Sequence, residues 1–463
     1  MTVLWTRNEA AKATGGRHGD ADWAATGVSI DSRTLKPGDL FVALAGPNFD
    51  GHEYVAAALA AGAAAGLVHR IPEGCDTARL LVVPDTMAGL GALGAFARAR
   101  TSARIIGVTG SVGKTSAKEM LKRVLSDQGA THASEGSLNN HWGVPLSLAR
   151  MPADCAFAIL EMGMNHAGEL TPLSLLARPH VAVVTTVEAV HCEFFASIAE
   201  IADAKAEIFA GLEAGGTVVL NRDNPFFERL SAAARAAGAG RVDSFGWHIE
   251  SAARLLDCAL DPKNSSVFAL VGDDTVAYRL SVPGLQWVMN SLCVLLAARA
   301  AGADLARAAA SLAHMQPPHG RGERFCLALP GGGVEIIDES YNASPVSMRA
   351  AFHTLALAKP AKGARRIAVL GDMLELGAHA ESLHASLAAP LAERGIDLVF
   401  TAGARMRTLH EALPPSLRGG HAESSDLLAP RVKASLLPGD VVMVKGSAGS
   451  RMGRVVKVLL GEA

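Results

Sequence analysis

The sequence predicts an α/β protein of three domains, with a central parallel-sheet domain flanked by a smaller N-terminal α/β domain and a C-terminal Rossmann-like α/β domain. Three observations predict it. The chain has 463 residues, more than one hydrophobic core of about 250–300 residues holds. From about residue 85, short continuous apolar runs alternate with helical spacing, the pattern of strands covered on both faces of a parallel sheet. After Pro317-Pro318-His319-Gly320 that alternation starts again. The boundaries read as 1–84, 85–318 and 319–463.

In the first segment, Asp31-Ser32-Arg33 and Lys36-Pro37-Gly38-Asp39 bracket a turn, and Leu40 to Leu44 reads as a strand. One Ala-rich helix, from about His52 to Ala61, follows the loop Gly46 to Gly51. In the second, Ile105 to Val108 is a strand, and the helix after it carries Met120, Leu121, Val124 and Leu125 on one face. Phe157 to Leu160, Val181 to Val187 and Thr217 to Leu220 are further apolar runs. In the third, Val334 to Ile337, Ile367 to Leu370, Leu398 to Phe400 and Val441 to Val444 repeat the pattern. Ligands of open α/β sheets collect at the carboxyl ends of the strands, so the residues ending these runs are the ones to examine.

Bulk composition narrows the partners. Lys and Arg number 43 against 45 Asp and Glu, a net charge of −2. No broad basic field exists to hold nucleic acid or an anionic membrane. Six scattered cysteines without a C-x-x-C pair offer neither a zinc site nor a disulfide framework, and fit reduced thiols in a cytoplasm. The start, Met1 to Gly16, lacks the basic and apolar regions of a signal peptide. The Ala/Gly-rich stretch Val55 to Val68 is too short to span a bilayer. A cytoplasmic protein without membrane insertion is expected.

The strongest chemical signal is Gly107-Val108-Thr109-Gly110-Ser111-Val112-Gly113-Lys114-Thr115-Ser116, placed between a strand and a helix. Glycines let backbone N–H groups wrap phosphate oxygens, the helix N-terminus adds partial positive charge, Lys114 pairs with phosphate, and Thr115 can ligate Mg²⁺. Val108 stands where the strict motif has its first glycine. An ordinary Gly-rich turn would share the glycines without Gly113-Lys114-Thr115-Ser116 between strand and helix, so nucleotide binding is the reading. Glu161 ends an apolar strand, where a carboxylate offers the oxygen that Mg²⁺ prefers.

This loop resembles that of the Mur ligase and folylpolyglutamate synthase superfamily, and matching segments follow in order along essentially the whole chain. The resemblance implies ATP and two magnesium sites, with Thr115, Glu161, His191 and Lys205 as the metal set and Lys114, Glu161, His191 and Lys205 as the catalytic group. Lys205, in Ala204-Lys205-Ala206-Glu207-Ile208-Phe209, matches a lysine that CO₂ converts to a carbamate. Thr109 to Ser116, Asn290, Arg321 and Asp338 match the family's nucleotide contacts. Gln286 and Trp287 replace the usual His-Asn before Asn290, which changes the expected adenine surroundings.

Four segments point to the MurF branch: Asp31-Ser32-Arg33 with Asn48 to His52, Gly136 to Pro145, Glu161 to Leu170, and Tyr341 to Pro345 with Leu370 to Gly377. Ser344 replaces a usual Asn, and the D-N-P-R motif of the diaminopimelate- or lysine-adding branch is missing. The branch implies a UDP-N-acetylmuramoyl-tripeptide precursor, met by Ser32, Arg33, Asn139 and Asn140, and D-alanyl-D-alanine as the second substrate. It also implies an acyl phosphate as intermediate and a monomer, and excluding water from that acyl phosphate by domain closure predicts motion near residues 84 and 318. Alternatives are a folylpolyglutamate synthase-like ligase, a nucleotide-dependent regulatory ATPase, and a silent paralogue that only binds UDP-sugars.

Overall fold

The computed structural model describes residues 2–190 and 192–462. Among them, the central segment builds a nine-stranded sheet. Its order is Thr131–Ala133, Phe157–Glu161, Arg104–Thr109, Val181–Val184, Thr217–Asn221, Arg241–Gly246, Ala253–Leu260, Ser265–Val271 and Asp274–Leu280. The pairings are parallel through Ala253. Alternate residues of each strand enter different cores: Ile106, Val108 and Val183 pack on one face, Ile105, Leu160 and Val184 on the other. Burial on both faces is what the unbroken apolar runs require.

The last two strands depart from the expected parallel sheet, since Ala253–Leu260, Ser265–Val271 and Asp274–Leu280 form an antiparallel meander. Their composition explains the change. Val267, Ala269 and Val271 are buried while Phe268 faces outward, the alternation of a sheet with one face toward solvent.

The C-terminal segment forms a six-stranded sheet, Glu323–Leu329, Gly332–Glu339, Val441–Lys445, Arg366–Gly371, Leu398–Ala402 and Arg418–Ala422. Only the first pair is antiparallel. The N-terminal sheet has five short strands around Ala65–Val68 and Asp39–Val42. The expected Ala-rich helix is a 3₁₀ turn, Gly51–Tyr54, continued by the α-helix Val55–Ala60. A second N-terminal helix, Arg7–Thr14, was not expected there. Thr6 and Glu9 form its capping box and Gly15 ends it at φ 65°, start and stop signals both written in the sequence.

The helix Thr86–Arg100 joins the first two units. Leu90, Leu93 and Ala97 share one core with Trp5, Val42 and Leu67 of the N-terminal segment and with Leu146 and Ala149 of the central one. The Trp5 indole N–H donates to Ala149 O at 2.8 Å, and Arg98 donates to Ala177 O, Arg178 O and Glu213.

Candidate active site

The phosphate loop leaves the strand Arg104–Thr109 and enters the helix Lys114–Ser126. Gly110 at φ 147° and Gly113 at φ 89° adopt conformations that side chains rarely take. A Cβ at Gly110 would lie 2.0 Å from Thr185 Oγ1, and one at Gly113 2.9 Å from Asn290 Oδ1. Thr185 Oγ1 donates to Val112 O at 2.5 Å and Ser111 N to Thr186 O at 2.9 Å, tying the loop to the next strand's exit. Lys114 Nζ donates to Gly110 O at 2.6 Å. Burial pushes its pKa down, the Glu161 carboxylate opposes that, and Arg321 adds to it.

Glu161 ends its strand at 1% exposure. Asn139 Nδ2 donates to its Oε1 at 2.8 Å, whereas Oε2 is buried with no hydrogen-bond partner among the described residues. An unpaired buried carboxylate oxygen is costly unless something cationic meets it. Beside Thr115, which lines the same cavity, this donor set fits a hard divalent ion such as Mg²⁺.

Lys205, on the helix Ile198–Ala206, is 2% exposed and forms no described hydrogen bond or ion pair. Burial, then the nearby Lys114 charge, lowers its pKa well below that of an ordinary lysine. Its environment therefore favours a neutral amine. His191 lies outside the described residues.

A cavity of about 530 Å³ opens between the central and C-terminal units. Ser111 to Ser116, Asn139, Glu161, Asn290 and Arg321 line it. Arg321 stacks over Tyr341 at 4.3 Å. Across the cavity, Lys445 pairs with Glu339 at 3.2 Å and donates to Asn342 O.

The other expected residues lie elsewhere. Thr109 ends the strand below the loop, Gly110 opens the loop, and the buried Thr109 hydroxyl has no described partner. Asp338 is buried behind the wall and accepts from Ser340 N. With His319 and Glu323 it forms the one group of three His, Cys or carboxylate side chains, among the described residues, whose potential ligand atoms lie within 4.8 Å. Asn140 accepts from Gly143 N at the start of a helix, and Arg33 pairs with Asp31. Ser32 is half-buried on the same turn. None of these lines the cavity.

Two residues were missed. Lys118, wholly buried one turn beyond Lys114, donates to Ser134 O and Gly136 O at 2.8 and 2.9 Å and pairs with Glu119. It holds the turn that presents Asn139 to Glu161. Its signal was the unexplained cation in Thr115-Ser116-Ala117-Lys118. Glu188 projects into the cavity from the loop after Val181–Val184. Only its place three residues before His191 hinted at it.

Three family models match in order: "Mur ligase family, catalytic domain" over residues 24–99, "Mur ligase middle domain" over 108–298, and "Mur ligase, glutamate ligase domain" over 320–448. The UDP-N-acetylmuramoyl-tripeptide–D-alanyl-D-alanine ligase of Escherichia coli (strain K12) is 35% identical over 448 residues, 95% of this chain and 94% of the relative. The crystal structure of MurF from Acinetobacter baumannii superposes with a TM-score of 0.85 at 28% identity, covering 99% of both chains. The MurF ligase of Thermotoga maritima, solved in complex with ADP, does so at 0.77 and 26% identity, covering 94% of this chain and 97% of that one.

Proposed function

This chain belongs to the Mur ligase family, and from that premise we propose that it joins D-alanyl-D-alanine to the terminal carboxylate of UDP-N-acetylmuramoyl-tripeptide. ATP is consumed to ADP through an acyl phosphate, in the supply of peptidoglycan precursors. Near-full-length similarity to ligases of that name supports the substrate pair. The observation that carries the chemistry is the buried Glu161 Oε2, without a hydrogen-bond partner among the described residues, on a side chain that lines the same cavity as the phosphate loop.

The reaction must bring a carboxylate against a triphosphate. The loop N–H groups from Ser111 to Ser116 and the helix N-terminus receive phosphate oxygens, and Lys114 exchanges its bond to Gly110 O for one to phosphate. Arg321 offers a second cation from the C-terminal side. Thr115, Glu161, His191 and Lys205, the last as its carbamate, are the residues that would hold two magnesium ions. Bound there, magnesium screens phosphate charge and stabilises it as it redistributes. A neutral Lys205 amine is the form that reacts with CO₂, and the resulting anion would turn that buried amine into a metal ligand.

Asn290 packs on Gly113, at the adenine side of the loop. Asp338, by holding Ser340 N, orders the turn leading to Tyr341, on which Arg321 rests. The UDP-linked precursor is assigned to the N-terminal side through Ser32, Arg33, Asn139 and Asn140. Domains 1–84, 85–318 and 319–463 enclose the substrates, and exclusion of water protects the acyl phosphate. Among the described residues no helix is long and apolar enough to cross a membrane. A cytoplasmic monomer, where ATP and nucleotide-linked precursors occur, completes the reading.

Phosphate release with ATP, Mg²⁺, the UDP-linked tripeptide and D-alanyl-D-alanine, each omitted in turn, tests it. Release should require both organic substrates and yield an amide by mass. Release without any acceptor amine would point to a regulatory ATPase, and turnover with folate and glutamate to the synthase-like alternative.

A further inference from the structure

Four glutamates line the cavity, and they are not equivalent. Glu161 is held by Asn139, and Glu339 is paired with Lys445. Glu375 belongs to the C-terminal loop that meets residue 193. Glu188 stands on the central unit, and its backbone is locked to the phosphate loop twice. Its N–H donates to Ser111 Oγ at 2.9 Å, and that hydroxyl donates to Glu188 O at 3.1 Å. Its carboxylate receives one long bond, from Thr186 Oγ1 at 3.3 Å. The backbone of Glu188 is thus fixed beside the phosphate-binding turn, and among the described residues its carboxylate leaves most of its acceptor capacity unused.

The second substrate of the proposed reaction is an amine that arrives protonated. An α-amino group titrates at about 7.7–8.0, and only its neutral form has a lone pair to attack an acyl carbon. We propose that Glu188 is the catalytic residue that binds this ammonium and takes its proton. The inference deepens the ligase reading and rests on it.

One proton passes from the ammonium to Glu188, leaving a free amine. Its lone pair forms the C–N bond to the acyl carbon. The bond from that carbon to the bridging oxygen breaks, and phosphate departs with the electron pair and the second nitrogen-bound proton. Glu188 returns its proton to solvent as the products leave. Burial raises the pKa of the Glu188 carboxyl, opposed by Thr186 and by Arg349 on the facing helix Pro345–Leu357. That direction brings it closer to the amine it must deprotonate. Among the described residues, Lys114 and Arg321 are the cavity-lining cations without a carboxylate salt bridge, and His191 lies outside those residues.

Hydroxylamine tests the assignment, because it is largely unprotonated at neutral pH and traps an acyl phosphate as a hydroxamate without a base. In Glu188→Gln, amide formation with D-alanyl-D-alanine should fall by about 10²-fold or more, while hydroxamate formation stays at the parent rate. The deficit should shrink as pH rises past the amine's own titration. Hydroxamate and amide falling together, or neither falling, would overturn the assignment. If Glu188→Gln melts early, Glu188→Asp carries the same comparison, with hydroxamate formation reporting an intact phosphate site. A parent protein that forms hydroxamate on the UDP-linked tripeptide but no amide with D-alanyl-D-alanine would instead break the ligase reading, and this inference with it.

Discussion

The two junctions between the three units are built from opposite materials. Between the N-terminal and central units lies a dry core, where Trp5, Leu90, Leu93, Ala97, Leu146 and Ala149 interlock. Arg100 stacks on Trp5 at 4.2 Å, and Arg150 reaches Val28 O at 2.7 Å. Between the central and C-terminal units lies the cavity, and the hydrogen bonds across it among the described residues include long ones: Gln286 Nε2 to Thr354 Oγ1 at 3.3 Å, and Glu193 N to Glu375 O at 3.4 Å. Apolar packing forfeits its full contact energy when it opens, whereas long polar bonds exchange readily with water. The first junction is therefore expected to act as a weld and the second as a hinge. Of the two expected places of motion, near residues 84 and 318, this contrast favours 318, because the helix Thr86–Arg100 binds the N-terminal and central units together.

The largest expected effect breaks the weld. Trp5→Ala should destabilise the protein by about 3–5 kcal/mol, read by thermal or denaturant unfolding. A loss under about 1 kcal/mol would show that the shared core is not what joins these units. Next, Glu161→Gln strikes the hinge cavity without touching the weld. It should lower amide formation by about 10²–10³-fold and leave the melting temperature near that of the parent. A large drop in stability with unchanged turnover would reverse the assignment.

Gln286→Ala should cost within about 0.5 kcal/mol of stability. It should change the difference in small-angle scattering between the free and fully liganded protein, if 318 is the hinge. Scattering that is identical with and without ligands would remove the hinge from the account.

A pH effect bears on the weld side of the comparison. His180 Nδ1 accepts from Ile105 N, and burial first, then Arg104 and Arg98, hold its pKa down at about 4. The unfolded value is about 6.5, so the unfolded chain binds the proton first. Stability is fully present above about 6.5 and is lost as pH falls toward about 4. His180→Asn should flatten that acid slope in denaturation experiments. An unchanged slope would place the sensitivity in other groups.

Much of this was legible in the sequence for local reasons. Strands such as Phe157–Glu161 are continuous apolar runs because both faces are buried, and the phosphate loop is contiguous in the chain. Lys118 was not legible, because a lysine in a helix ordinarily extends into water. Only the fold reveals that two carbonyls from a turn 16 and 18 residues away enclose its ammonium. Glu188 was obscure for a similar reason, since its value depends on Ser111, 77 residues earlier. Asn139 read as a precursor contact, and only the fold shows that its amide also donates to Glu161. The antiparallel meander was missed because its apolar residues are spaced for a one-sided sheet.

Trp287 has a consequence of another kind. Its indole is 5% exposed, packed in the central core, yet it forms part of the cavity wall. The chain holds five tryptophans, and this is the one that lines the cavity. Its emission should therefore shift in colour and intensity when a nucleotide fills the space in front of it. Each binding event would then be visible in real time without a label, and Trp287→Phe should silence that optical signal.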